Sequence, residues 1–467
     1  MNCRLALPTW AGSPKDNPNS TQSDYLSGIR FIRYAGLSFK DYIILHQRIN
    51  LIYKQHNTNK QMDKKYLFGA MLAMTVAFSA TTTSCSDNDD PKTEKEQPSA
   101  DLDYTASNAK AWGNYMKNVA ILLNNDAEKL YSQWAENYQT TEVNTGVPFA
   151  ELFKQHDSRS GYPNVKACAQ EIVEKMAEIA NEVGSAKIGD PYAKWVSGKT
   201  TEALYAVESW YSWHSIDDYT NNIRSIANAY YGKLDGSPTN MAENSMAKAL
   251  EGTTIDKTIR QQITAAENAI QGITQPFRNH IGSVETQKAM EACAALQASL
   301  SEVKNDDDEV EAGAAAVNLR DAVVNNLSDE VLQNIVNNYV DNVVVPTYRN
   351  LKKKNAELLA AVNAFVANPS NEGFDACSKA WMKARQPWET SEAFLFGPVA
   401  TFGLDPNMDS WPLDQDAIVN IMKSQKWSDL KWAEGDDDAK VESAQNVRGF
   451  HTLEFLIFKD GKPRTIK

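Results

Sequence analysis

From Tyr104 to the end of the chain, apolar residues recur every three or four positions, and this spacing constrains the fold more than any other feature. In "AWGNYMKNVAILLNNDAEKLYSQW", Trp112, Tyr115, Val119, Leu122 and Leu123 fall on one helical face. The stretch "VKACAQEIVEKMAEIANEVG" has the same period and ends on Gly184, a residue suited to capping a helix. Further helices are predicted near 200–232, 255–279, 283–304, 308–327, 328–367, 371–391, 413–426 and 439–458. Turn chemistry separates them at Gly236-Ser-Pro238, Asn305-Asp-Asp-Asp-Glu309, Asn368-Pro-Ser370, Pro406-Asn407 and Gly435-Asp-Asp-Asp438. No alternating strand of useful length is visible, and neither is a GxxxxGK or GxGxxG loop. The expected class is therefore all-α, without an α/β nucleotide-binding domain.

The front of the chain reads differently. Residues 1–61 show no sustained period. Then Met62 opens "MDKKYLFGAMLAMTVAFSATTTSC": Lys64 and Lys65 form a basic n-region, Tyr66 to Ala80 an apolar h-region, and small residues lead to Cys85. The apolar run is short for a membrane-spanning helix. Thr82-Thr-Ser-Cys85 resembles a bacterial lipobox, with Thr82 where Leu is usual, which makes Cys85 the expected lipidated first residue. The charged, Pro- and Ser-bearing stretch at 85–104 suits a flexible tether, and Ser86-Asp-Asn-Asp-Asp90 looks like an outer-membrane export tag. Residues 1–61 are then an upstream extension, 62–84 a lipoprotein signal peptide, and the protein is expected in the cell envelope, lipid-anchored through Cys85 to the outer membrane, at either its periplasmic or its surface-exposed face. Cys168, Cys293 and Cys377 are isolated, so neither a disulfide framework nor a CxxC metal site is expected. With 47 Lys+Arg against 60 Asp+Glu, the net charge of −13 argues against a nucleic-acid partner.

Near the C-terminus, "RGFHTLEFLIF" is apolar nearly all round and therefore expected to be buried. His451 and Glu454, three apart, share a helical face. A buried carboxylate needs a partner, a metal or a proton, so the pair marks either a site or a structural His–Glu contact in the core. Upstream, Glu208, Ser212, Ser215, Asp218 and Asn222 recur at helical steps and form a polar stripe flanked by tryptophans, beside Tyr211. Trp381, Arg385, Trp388 and Glu392 form another such series. Trp381 reads as core, while Arg385 and Glu392 form either a site counter-charge or a helix-surface pair.

These stretches carry a resemblance. "GFHTLEFLIF" is similar to the Gly-x-His-x-x-Glu motif of the imelysin-like family, and "VVVPTYRNLKKKNAELLAAVNAF", "KAWMKARQPWETSEAFLFGPV" and "DSWPLD" precede it in the family's order. "ESWYSWHSIDDYTNNIRSIANAYYG" is a further family-like stretch, so the resemblance covers most of 105–467. In typical members the His/Glu half comes first, whereas here the Tyr-Ser half (105–335) precedes the His/Glu half (336–467), as in a circular permutation. The resemblance implies two similar four-helix bundles packed side by side with a functional cleft between them. It also implies an envelope lipoprotein of iron uptake or homeostasis, with an envelope uptake protein as a possible partner, or a metallopeptidase, the family's older classification.

The residues themselves leave the chemistry open. His451 and Glu454 supply two ligands at helical spacing, but no HExxH is present, and Phe455 stands where a His-x-x-Glu-His site would place its second histidine. One imidazole with Glu208, Asp218 and Glu454 suits iron or another divalent metal better than closed zinc. Arg385 in the same cleft opposes a bare cation and favours an anionic iron chelate. A purely architectural His–Glu pair in a partner-docking lipoprotein is the third reading. The N-terminal expectation is tested by mass spectrometry of native protein: Cys85 should head the mature chain and carry lipid, and any mature peptide from 1–61 overturns it.

Overall fold

The protein is described here from a computed structural model that covers residues 102–141, 144–301, 318–433 and 435–467. The upstream extension, the signal segment, Cys85, residues 86–101 of the tether and the acidic run at 305–309 lie outside the described residues. The helices that carry the argument are α1 (Ala109–Ala135), α2 (Val165–Asn181), α3 (Thr200–Ala206), α4 (Ser215–Tyr231), α5 (Thr254–Gln271), α6 (Val284–Leu300), α7 (Asp329–Tyr339), α8 (Val345–Ala367), α9 (Asn371–Glu389), α10 (Leu404–Asp409) and α11 (Gly449–Ile457). Among the described residues the one sheet is a two-residue antiparallel pair, Phe458–Lys459 with Lys462–Pro463, so the class is all-α.

Local sequence explains where many of these helices start. Asn164, Thr253, Ser283, Ser328 and Ser370 each accept a hydrogen bond from a backbone N–H of the first turn they precede. The helices then pack by their apolar stripes. α5 lies against α4 and α6, and α2 against the same two. α8 lies against α1 and α9, and α11 against the same two. α4 also touches α9, and the charged site forms at that contact. The boundary expected at 335/336 does not follow this packing: α1, placed by sequence order with the first half, packs on α8 and α11 of the second. Helices bury their apolar faces against whichever partner fits, regardless of order in the chain.

α11 is the most enclosed element, with all nine residues buried. Aromatic side chains anchor its backbone. Trp112 Nε1 donates to the Leu456 carbonyl (3.1 Å), Trp381 Nε1 to that of Phe450 (3.0 Å), and the Tyr115 hydroxyl to that of Val447 just upstream (2.9 Å). The ends of the described chain meet: Lys467 N–H donates to the Tyr104 carbonyl at 3.1 Å.

Three expectations about helix continuity are corrected. The segment expected at 200–232 is broken after Ala206 and resumes at Ser215, because Ser209 (φ 50°) and Trp213 (φ 62°) adopt left-handed backbone that no α-helix accommodates. The segment expected at 439–458 is two helices, Asp438–Gln445 and α11, separated at Gly449 (φ 84°). Gly184 does not cap α2: the chain continues through a π-turn, Glu182–Lys187, and a Cβ at Gly184 would lie 2.8 Å from Cys293 Cβ. That glycine serves the close approach of α6.

Gly449 has a double constraint, since a Cβ there would also sit 2.4 Å from the Met408 carbonyl oxygen. Gly449→Ala should therefore lower unfolding free energy by more than about 2 kcal/mol, combining left-handed strain with displacement of α10. Urea denaturation reads this directly, and an unchanged midpoint contradicts it.

Candidate functional site

The site is built around one buried guanidinium. Arg385 projects from α9, is 1% exposed, and its charge must be compensated inside the protein. It pairs with Asp409 at the end of α10, approaches Glu389 one turn along α9 (2.7 Å, not aligned as a hydrogen bond), and donates from Nε to Asp218 of α4 (3.4 Å). Asn222 Nδ2 donates to the second oxygen of Glu389 (2.6 Å), Trp388 Nε1 to Asp409 Oδ2 (2.7 Å), and the Ser209 hydroxyl to Asp218.

His451 joins this cluster to Glu454. Its Nδ1 lies 3.0 Å from Glu454 Oε2 and its Nε2 3.1 Å from Asp409 Oδ1, while Arg385 approaches Nε2 at 3.3 Å. Burial and Arg385 both push the His451 pKa down, but the Asp409 charge and the hydrogen bonds to Asp409 and Glu454 outweigh them and raise it to about 9. Both ring nitrogens then donate at neutral pH. Asp409 experiences the converse: burial pushes its pKa up, and Arg385 and His451 overcome this to hold it well below the usual carboxylate range.

Glu454 is enclosed from the opposite side. Its Oε1 accepts from the backbone N–H groups of Tyr211 (3.0 Å) and Ser212 (2.8 Å) and from the Ser212 hydroxyl (2.7 Å). The left-handed residues Ser209 and Trp213 bend the 207–214 loop around that carboxylate, a use of backbone strain typical of functional sites. The C-terminal hairpin steadies the loop, with Gly461 N–H donating to the Tyr211 carbonyl at 2.9 Å, and Tyr211 packs edge-on against Phe455.

A second group of charges lies toward the π-turn. Lys187, buried, is 3.0 Å from Glu208 and 3.7 Å from Glu182. Glu392, on the turn after α9, is 6% exposed and makes no hydrogen bond or ion pair among the described residues. Burial raises its pKa well above the ordinary carboxylate value despite the attraction of Lys187. Burial likewise raises Glu389 to about 8 against the pull of Arg385. Asp405 is exposed and Glu182 half-buried at the edge of this group. Glu389, Glu392 and Asp409 each place one oxygen so that all three lie within 4.8 Å of one another, a possible buried acidic group for a metal ion.

His451, Glu454, Arg385, Trp388, Asp218, Asn222, Tyr211 and Ser212 thus lie in one hydrogen-bonded assembly, but not through the stripe that spacing suggested. Glu208 and Ser212 are in the loop, off the helix, and the Ser215 hydroxyl is spent on the Glu208 carbonyl (2.6 Å). Arg385 and Glu392 form no surface pair, since both are buried and the guanidinium goes to Glu389 instead. Sequence reasoning missed Asp409, Glu389, Ser209 and Lys187. Glu389 was detectable as the residue four after Arg385; Asp409 was hidden by the turn expected at Pro406-Asn407, which the structure instead places inside α10.

The family profile named Imelysin, a peptidase M75 family, matches residues 82–303 and 344–467. The chain belongs to the imelysin family. A crystal structure described as an imelysin peptidase from Bacteroides ovatus is 56% identical, covers 79% of this chain and 99% of its own, and superposes with a TM-score of 0.72. Iron-regulated protein A of Synechococcus elongatus is 31% identical over 121 residues, 26% of this chain and 30% of its own length. The chain therefore aligns with less than a third of that curated relative.

The raised His451 pKa sets a pH dependence. Because it lies above the ordinary histidine value of about 6.5, the stabilisation is complete below that pH and is lost as pH rises toward about 9. Wild type should lose up to roughly 3 kcal/mol across this window relative to His451→Gln. Parallel urea titrations measure the difference; equal slopes for the two proteins would refute the assignment.

Proposed function

We propose that this chain is an imelysin-family lipoprotein of the cell envelope that binds iron as cargo at the carboxylate group Glu389, Glu392 and Asp409. The observation that carries the reading is the grouping of Glu389, Glu392 and Asp409, each with one oxygen within 4.8 Å of the other two, where burial raises the pKa of Glu389 and Glu392. Leaving a carboxylate buried in this way is costly, and a bound cation removes the cost. Three carboxylate oxygens suit a hard cation, with open positions for water or a chelating anion. The relative named iron-regulated protein A supports iron over other hard cations.

In this reading His451 and Glu454 are positioning residues. Both His451 nitrogens and both Glu454 oxygens already have partners, so the pair orients Asp409 and ties the 207–214 loop to α11. The peptidase reading, favoured by the description of the Bacteroides ovatus protein, would need His451 and Glu454 to meet substrate, yet they are 1% and 0% exposed. The lipid anchor at Cys85, the envelope location and an envelope uptake partner complete the proposal on the strength of the signal-like segment. A permuted pair of four-helix bundles, α2, α4, α5 and α6 with α1, α8, α9 and α11, accounts for the packing of α1 on the later helices and for the adjacency of Tyr104 and Lys467.

Calorimetric titration of the purified chain with ferric nitrilotriacetate tests the reading. Glu392→Gln should weaken binding at least about tenfold while keeping helicity and thermal stability, since burial already favours the neutral carboxyl and the amide has nearly its shape. Absence of binding by wild type, or unchanged affinity in the variant, overturns it.

A further inference from the structure

Lys187 is the only buried lysine among the described residues, 6% exposed, and its charge acts on two of the three carboxylates assigned to the cargo, Glu392 and Glu389. Building on the metal reading, we propose that the Lys187 ammonium is the resident counter-ion of that carboxylate group, shared between it and Glu208, and that it gives way to the incoming cation and so keeps the cargo releasable.

The backbone puts the ammonium there. After α2 the chain makes the π-turn Glu182–Lys187, in which Ile188 N–H donates to the Val183 carbonyl five residues back (3.0 Å). Residues five apart on an α-helix point roughly 140° away from each other, whereas the wider π-turn brings them close to one line. Glu182 and Lys187 therefore meet, at 3.7 Å. Such turns are rare and concentrate at functional sites. This one is held in place by Gly184, whose missing side chain admits Cys293 of α6. α2, from which the turn springs, also packs against the turn Glu392–Phe394.

The ammonium is divided between two sets of acids. Glu208, from the 207–214 loop, lies 3.0 Å from Nζ. Glu392 comes next among the carboxylates that act on Lys187, ahead of Glu182 and Glu389, and together they keep it charged against the effect of burial. In return Lys187 is the foremost attraction on Glu392. A metal ion on Glu389, Glu392 and Asp409 takes over the compensation of those carboxylates and repels the ammonium, which Glu208 and Glu182 continue to satisfy. Lys187 thus lowers the cost of the empty group and opposes the loaded one. Glu208 sets the balance, because the hold it has on the ammonium is withdrawn from Glu392.

Lys187→Met, which keeps the length and removes the charge, and Glu208→Gln, which removes the competing acid, make the test. Either substitution breaks a purely structural ion pair, so in that case the two variants would shift metal affinity in the same direction or not at all. A shared counter-ion predicts opposite directions. In calorimetric titration of the full chain with ferric nitrilotriacetate, Lys187→Met should bind about tenfold more tightly or better and release iron to excess EDTA more slowly. Glu208→Gln should bind several-fold more weakly, and Lys187→Arg should resemble wild type. Unchanged affinity in folded Lys187→Met, or a shift of the same sign in both variants, overturns the proposal; if Lys187→Met does not fold, unchanged affinity in Glu208→Gln overturns it. Either result beside wild-type binding that Glu392→Gln weakens leaves the metal reading standing, whereas no binding by any of these proteins removes both.

Discussion

A guanidinium with almost no contact with water dictates much of the centre of this protein. Arg385 cannot shed its charge, and an uncompensated buried cation costs about 3–5 kcal/mol. Asp409, Glu389 and Asp218 must therefore converge on it, and they come from α10, α9 and α4. Satisfying one side chain thus fixes three helices relative to one another. His451 extends the constraint to α11, and through Glu454 to the 207–214 loop and the C-terminal hairpin. A lost partner would leave its neighbours buried and unpaired, so the network is cooperative in the sense that partial satisfaction is worse than none.

This arrangement separates positioning from binding. The residues at the centre of the family motif are the best satisfied polar groups in the site, with every ring nitrogen and carboxylate oxygen accounted for. The carboxyls held at raised pKa, Glu389 and Glu392, lie beside them. Natural proteins retain poorly compensated polar groups chiefly where function requires them. With Asp409, Glu389 and Glu392 form a cluster of hard oxygen donors. Arg385 stands beside them as a fixed positive charge that holds Asp409 ionised while letting burial keep Glu389 and Glu392 at raised pKa values. A cation binding those carboxyls would compete with their protons, which ties binding to pH.

Helical class and burial of the C-terminal motif were legible in the chain itself, because the 3.6-residue period and an apolar run broken by one His and one Glu are local signals. Helix starts at Ser328 and Ser370 were similarly local. The break at 207–214 was not, since nothing in "VESWYSWHS" announces that Ser209 and Trp213 will take left-handed backbone. The reason lies more than two hundred residues away, at the carboxylate those residues wrap. Asp409 was invisible for the same cause: it ends a six-residue helix that runs through Pro406-Asn407, where a turn was expected, and its role exists only once α9 and α11 bring Arg385 and His451 to it.

Sequence alone determined that this chain is built of helices, that His451 and Glu454 share a face, and that Arg385 lies among tryptophans, because each follows from spacing along a single element. Tertiary structure decided that α1 would pack with the last helices, that Glu389 and Asp409 would partner Arg385, and that Glu392 would be buried within reach of both. Those outcomes depend on which charges must be compensated once water is excluded, and exclusion of water is a property of packed elements rather than of any stretch of chain.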